Sequence, residues 1–75
     1  MERVTDSGVL GNRIRKERKS QDITQEELAA LAGVGVRFVR ELEQGKQSCQ
    51  IGLALTVMKT LGLSFYIEGR GESPP

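Results

Sequence analysis

Arg37 and Arg40 stand three positions apart, one helical turn if this stretch is helical. Each guanidinium is a planar fork of N–H donors that matches guanine O6 and N7, or two oxygens of a phosphate. Val36 beside them could meet a thymine methyl group, and Glu41 could accept from cytosine N4, although a surface glutamate more often repels phosphate. Upstream, Arg13, Arg15, Lys16, Arg18 and Lys19 crowd one segment whose only acid is Glu17. Such a cluster is a solvated helix face as often as an anion-binding surface. In the second use, Arg13, Lys16 and Lys19 face a nucleic-acid backbone and add salt-dependent affinity without sequence information.

Other chemistries are poorly supplied. The 75 residues hold a single cysteine, Cys49, and no histidine. A disulfide within the monomer is impossible, and one thiolate cannot close a tetrahedral zinc shell. Cys49 has no basic neighbour to lower its pKa, so it reads as an idle thiol rather than a redox sensor. No histidine, no paired acids and too short a chain to enclose a substrate argue against an enzyme, and no cofactor is expected. No apolar run approaches the roughly twenty residues of a membrane span. The lone thiol fits a reducing cytosol, and the expected location is cytoplasmic. A domain of this size is marginally stable alone, so self-association is expected to complete the core. The net charge of +1 does not announce a polyanion partner, and only the distribution of charge is informative.

Local signals divide the chain into short helices. Residues 1–4 look frayed, and Thr5, Asp6 or Ser7 can cap a first helix running from about Ser7 to Lys19. Leu10 and Ile14 begin its apolar stripe. Thr24-Gln25-Glu26-Glu27 is a capping box, with Ile23 and Leu28 positioned as a hydrophobic staple. Leu28, Ala29, Leu31 and Ala32 supply the apolar side of helix 2, and Gly33 ends it. Helix 3 begins at about Gly35, with Val34, Phe38, Val39 and Leu42 inward, and Gly45 stops it. Helix 4 spans Gln50 to Leu61, with Ile51, Leu55, Met58 and Leu61 on one side and Gly62 as its stop. Leu63, Phe65 and Ile67 then alternate with Ser64, Tyr66 and Glu68, a strand pattern. One strand cannot satisfy its own backbone, so its expected partner is the same strand of a second copy. Residues 70–75 should be disordered.

Helices 2 and 3, joined by a short turn containing Gly33, form a helix-turn-helix. Ala29 must be small for the helices to cross closely, while Val34, Val39 and Leu42 anchor helix 3 from behind. The start of helix 3 then projects outward, as it must to enter a DNA major groove. A short helical hairpin can also be plain structure, and a protein-interaction module is the competing use of this one.

The run TQEELAALAGVGVRFVRELEQGK resembles the DNA-binding module of the phage-repressor and Xre class of transcriptional regulators, over about residues 9 to 62. In that class a Thr-Gln start, a small residue at the Ala29 position, a turn glycine and a Leu-Glu-x-Gly-Lys ending recur together. The chain is similar most of all to HipB-like antitoxins, through the segment RFVRELEQGK, the Leu-Gly-Leu run and one terminal strand. The resemblance implies an all-α, four-to-five-helix repressor-like domain over residues 7–62 within one domain, 1–75. It also implies a C-terminal β-strand, residues 63–69, pairing across a homodimer through Leu63, Phe65, Tyr66 and Ile67. The implied partners are double-stranded DNA bearing a palindromic operator, a second copy and a HipA-like kinase toxin. A stand-alone repressor or restriction-modification controller shares the same DNA module. A two-fold dimer would read half-sites about one helical turn, ~34 Å, apart.

Residue roles follow from the same resemblance. Gln25 matches the position at the start of helix 2 that touches a phosphate, where free N–H groups favour an anion. Gly35 replaces a frequent serine, so only a backbone approach to phosphate is expected there. Lys46, with Gln47 or Ser48, stands just past helix 3 and is placed for phosphate. Arg18 matches an arginine that pairs with the glutamate ending helix 3, here Glu43, as a clamp between helices 1 and 3, with a phosphate contact as its alternative role.

Overall fold

A computed structural model describes residues 2–71. Asp6 is the cap chosen for the first helix: its Oδ1 accepts from the Val9 N–H at 2.9 Å, and α1 runs Ser7–Ser20. The capping box closes as its spacing demands, with Glu27 N–H on Thr24 Oγ1 at 3.0 Å and Thr24 N–H on Glu27 Oε1 at 2.9 Å. Helix α2 (Gln25–Ala32) follows, and half-buried Ile23 packs against the core just ahead of it. Gly33 takes φ 72°, the left-handed region that costs a side chain energy. Its N–H reaches Ala30 C=O at 3.3 Å and the Val34 N–H reaches Ala29 C=O at 3.0 Å, so α2 ends in a doubly closed Schellman turn. Helix α3 (Val36–Glu43) and helix α4 (Ile51–Thr60) complete the fold.

Ile14, Leu28, Val39 and Val57 are fully buried, and Ala29, Leu42, Ala54, Met58 and Leu61 close around them. α3 packs on both α2 and α1, while α4 lies against α2. The α1–α3 approach is close enough that a Cβ on Gly11 would overlap the Leu42 carbonyl oxygen and lie 2.8 Å from that of Glu43. Gly11 therefore sets how tightly the first helix grips the third.

Three expectations change. In α4 the buried set is Ala54, Val57, Met58 and Leu61, whereas Ile51 and Leu55 are 64% and 39% exposed. The apolar residues of α4 occupy more than one face, and small Ala54 is the side that allows close approach. Leu31, expected inside, is 67% exposed, because α2 buries the stripe through Leu28, Ala29 and Ala32. Residues 2–4 are not free of the helix: the Glu2 carboxylate lies 3.1 Å from Arg13 Nε.

Among the described residues the secondary structure is helical, and residues 63–69 form no ladder within the chain. Leu63 packs on the core, while Phe65, Tyr66 and Ile67 are exposed. Arg70 and Gly71 form a turn, and the rest of the expected disordered tail, 72–75, lies outside the described residues.

Candidate nucleic-acid interface

The outward face of α3 is set by what its inward face buries. Val39 and Leu42 are in the core, and Val36 and Phe38 are half-buried against it. Arg37 and Arg40 are both exposed, and Gly35 caps the helix without a side chain. Arg37, Arg40 and Glu41 thus lie on the side of α3 away from Val39 and Leu42, with half-buried Val36 at its edge and exposed Gly35 at the helix start.

Glu41 is not a free acceptor. Its Oε2 lies 2.9 Å from Lys46 Nζ and 3.8 Å from Arg37 Nε. The hydrogen bond from Lys46 holds the Glu41 carboxyl below its ordinary value. Among the described residues none forms an ion pair with Arg40.

Behind the face lies a buried clamp. Arg18 Nε donates to Glu43 Oε2 at 2.6 Å and Nη2 to Oε1 at 3.0 Å, a bidentate pair with each residue 8% exposed. Arg18 Nη1 also donates to the Ile23 carbonyl at 2.9 Å, and Gln25 Nε2 to Glu43 Oε1 at 3.1 Å. Glu43 raises the Arg18 pKa further above its already high value. No buried side-chain polar atom among the described residues lacks a partner, the condition under which a buried pair does not cost the fold its stability. The Gln25 amide is therefore part of the clamp. One of its two hydrogens serves Glu43.

The basic residues of α1 divide. Gly11, Arg15 and Arg18 follow i, i+4, i+7 spacing, so exposed Arg15 sits on the side that packs toward α3. The expected contacts omitted Arg15, yet that spacing would have found it once Gly11 was known to touch α3. Lys19 lines a shallow cleft with Arg18, Thr24 and Gln25 at the start of α2, and Lys16 is exposed. Arg13 does not join them. It is held between Glu2 at 3.1 Å and Glu17 at 2.9 Å, beside Leu63 to Tyr66. Ala29 is 4% exposed, and Gly33 closes α2 in the left-handed conformation.

Residues 14–67, which contain the whole α2–turn–α3 unit, match the HTH_3 helix-turn-helix family model. The chain belongs to the helix-turn-helix family. It is a DNA-binding helix-turn-helix transcriptional regulator of the Xre type. The HTH-type transcriptional regulator y4mF of Sinorhizobium fredii is 46% identical over 70 residues, covering 93% of this chain and 92% of that protein. In fold, the regulator is similar to the protein of a HipB-O4 20mer complex, with TM-score 0.83 and 19% identity over 92% of this chain and 97% of the other. It is also similar to the restriction-modification controller protein C.AhdI from Aeromonas hydrophila. That likeness has TM-score 0.70 and 27% identity, over 79% of this chain and 86% of the controller. A HipA-HipB-O2-O3 complex contains a further neighbour, at TM-score 0.84 and 19% identity, over 92% of this chain and 97% of that one. Among the described residues no helix is long and apolar enough to cross a membrane.

Proposed function

We propose that this regulator is an operator-binding repressor that works as a homodimer in the cytoplasm and doubles as the antitoxin of a HipA-like kinase. The observation that carries the DNA part is the exposed pair Arg37 and Arg40 on an α3 whose opposite side is buried. In this reading both arginines read base edges, Val36 meets a thymine methyl, and Gln25, Gly35 and Lys46 hold phosphates. Arg15, Lys16 and Lys19 add backbone contacts as α1 crosses the duplex, and Arg13 is left out of the interface.

The dimer part rests on residues 63–69. Phe65, Tyr66 and Ile67 are 48%, 55% and 82% exposed, an apolar load that a second copy's strand would cover while satisfying both backbones. Similarity in fold to the HipB chain, across 97% of its length, supports the antitoxin reading. The 27% identity to C.AhdI supports the controller as the second reading.

A gel shift on the DNA upstream of the chain's own coding sequence, with and without residues 63–75, tests the repressor dimer. Full-length protein should shift that DNA and the truncated form should not. Co-purification with the product of an adjacent kinase-like reading frame tests the antitoxin. A neighbourhood lacking such a frame removes that reading and leaves the repressor.

A further inference from the structure

Arg37, Glu41 and Lys46 form a cation–anion–cation row along the exposed side of α3. The row is built into the helix end. Gly45 turns the chain at φ 82°, and the Lys46 N–H donates to the Glu41 carbonyl at 3.1 Å. The Lys46 backbone is thus fixed one turn beyond the glutamate, and its ammonium folds back onto the carboxylate at 2.9 Å. Arg37, one turn earlier on the helix, approaches the same oxygen more loosely, at 3.8 Å. Two side chains with obvious use toward DNA therefore share one counter-anion.

We infer that Glu41 is a specificity-determining residue that acts as an internal stand-in for phosphate, muting Lys46 and Arg37 toward duplexes of the wrong sequence. The inference rests on the proposed DNA-binding role of α3. Non-specific affinity comes from cations that displace counterions from phosphates. A lysine already neutralised by a carboxylate contributes little to that displacement, and the carboxylate itself repels the backbone. An exposed pair of this kind is weak enough to break when base contacts by Arg37 and Arg40 bring the duplex close. Lys46 then exchanges Glu41 for a phosphate on the operator and stays home elsewhere. Discrimination arises from a repulsive element set against the wrong partner as well as an attractive one for the right partner.

The test uses fluorescence anisotropy with the upstream DNA and a shuffled duplex of the same length, each across a salt series. The proteins are full-length wild type, Glu41→Gln, Lys46→Gln and the double variant. Glu41→Gln should tighten binding to the shuffled duplex by about eightfold near 0.1 M salt and steepen the salt slope by about one, the worth of one additional released counterion. Binding to the upstream DNA should tighten less, so the ratio between the two falls. Lys46→Gln alone should barely change shuffled binding, and in that background the Glu41→Gln gain should shrink to the part that Arg37 and the lost repulsion supply. Unchanged affinities in Glu41→Gln overturn the inference. So does a loss confined to the upstream DNA with the slope unmoved, which would make Glu41 a base reader. Wild-type protein that binds neither duplex would instead remove the DNA-binding role on which this stands.

Discussion

Arg18 and Glu43, 25 positions apart in sequence, meet through two hydrogen bonds of 2.6 and 3.0 Å inside the fold. The pair ties the last turn of α1 to the last residue of α3, and Gln25 from α2 joins the same carboxylate. Three helices are thereby fixed by one acid, so the α3 angle depends on it. Glu43→Ala should destabilise the protein by about 3–5 kcal/mol, because it strands a buried guanidinium. The paired replacement Arg18→Met with Glu43→Leu should cost much less. Urea denaturation of the two variants measures the difference.

Gly11 and Gly33 are both required, for different reasons. Alanine at Gly11 would drive a methyl into the carbonyls of Leu42 and Glu43, an overpacking cost of about 1–3 kcal/mol that also pushes α1 off α3. Alanine at Gly33 meets nothing within 4 Å and costs only the left-handed backbone, about 1–2 kcal/mol. Thermal melts should show both losses. Amide exchange should rise across the α1–α3 contact only in Gly11→Ala.

Thr24→Ala should lower stability by about 1 kcal/mol through loss of the cap on α2. Because Gln25 follows the cap directly and donates to Glu43, fraying there also loosens the clamp. A chemical-shift map of the variant should therefore show changes at Glu43 and Arg18 as well as at residues 24–27.

Toward DNA, Arg37→Ala and Arg40→Ala should each cost about 1–3 kcal/mol and relax sequence preference, with unchanged melting temperatures. Arg15→Ala should weaken all duplexes alike and reduce the salt slope by about one. Arg13→Ala should leave the slope where it is, since that side chain is occupied by Glu2 and Glu17. Salt titrations of the four variants separate these outcomes.

Acid should remove surface support at two known places. Glu17 is held below its ordinary 4.5 by the Gln21 amide and then by Arg13. Glu41 is held below the same value chiefly by Lys46. A depressed folded-state carboxyl contributes stability that is present above its unfolded pKa and is lost as pH falls through the folded one. The melting temperature of wild type should therefore fall below pH 4.5 more steeply than that of Glu17→Gln with Glu41→Gln, and the curves should run parallel above it.

The caps, turns and helix order were written in stretches of a few residues, and they follow from the sequence by itself. Thr24 with Glu27 starts α2 and Gly33 ends it, because hydrogen bonding at a helix end and the φ of a glycine are local energies. The outward aspect of Arg37 and Arg40 followed too, since Val39 and Leu42 leave α3 one inward side. Local rules could not choose a face for α4, whose apolar residues point in several directions: their spacing favours Ile51 and Leu55 inward, whereas Ala54 and Val57 take the core. Nor could they turn Leu31 to the surface or bring Glu2 to Arg13. The helix-closing turn at Gly45 is local, whereas the ion pair between Glu41 and Lys46 also depends on where two long side chains settle. Burial and ion pairing are properties of neighbours, and only the packed tertiary structure decides who the neighbours are.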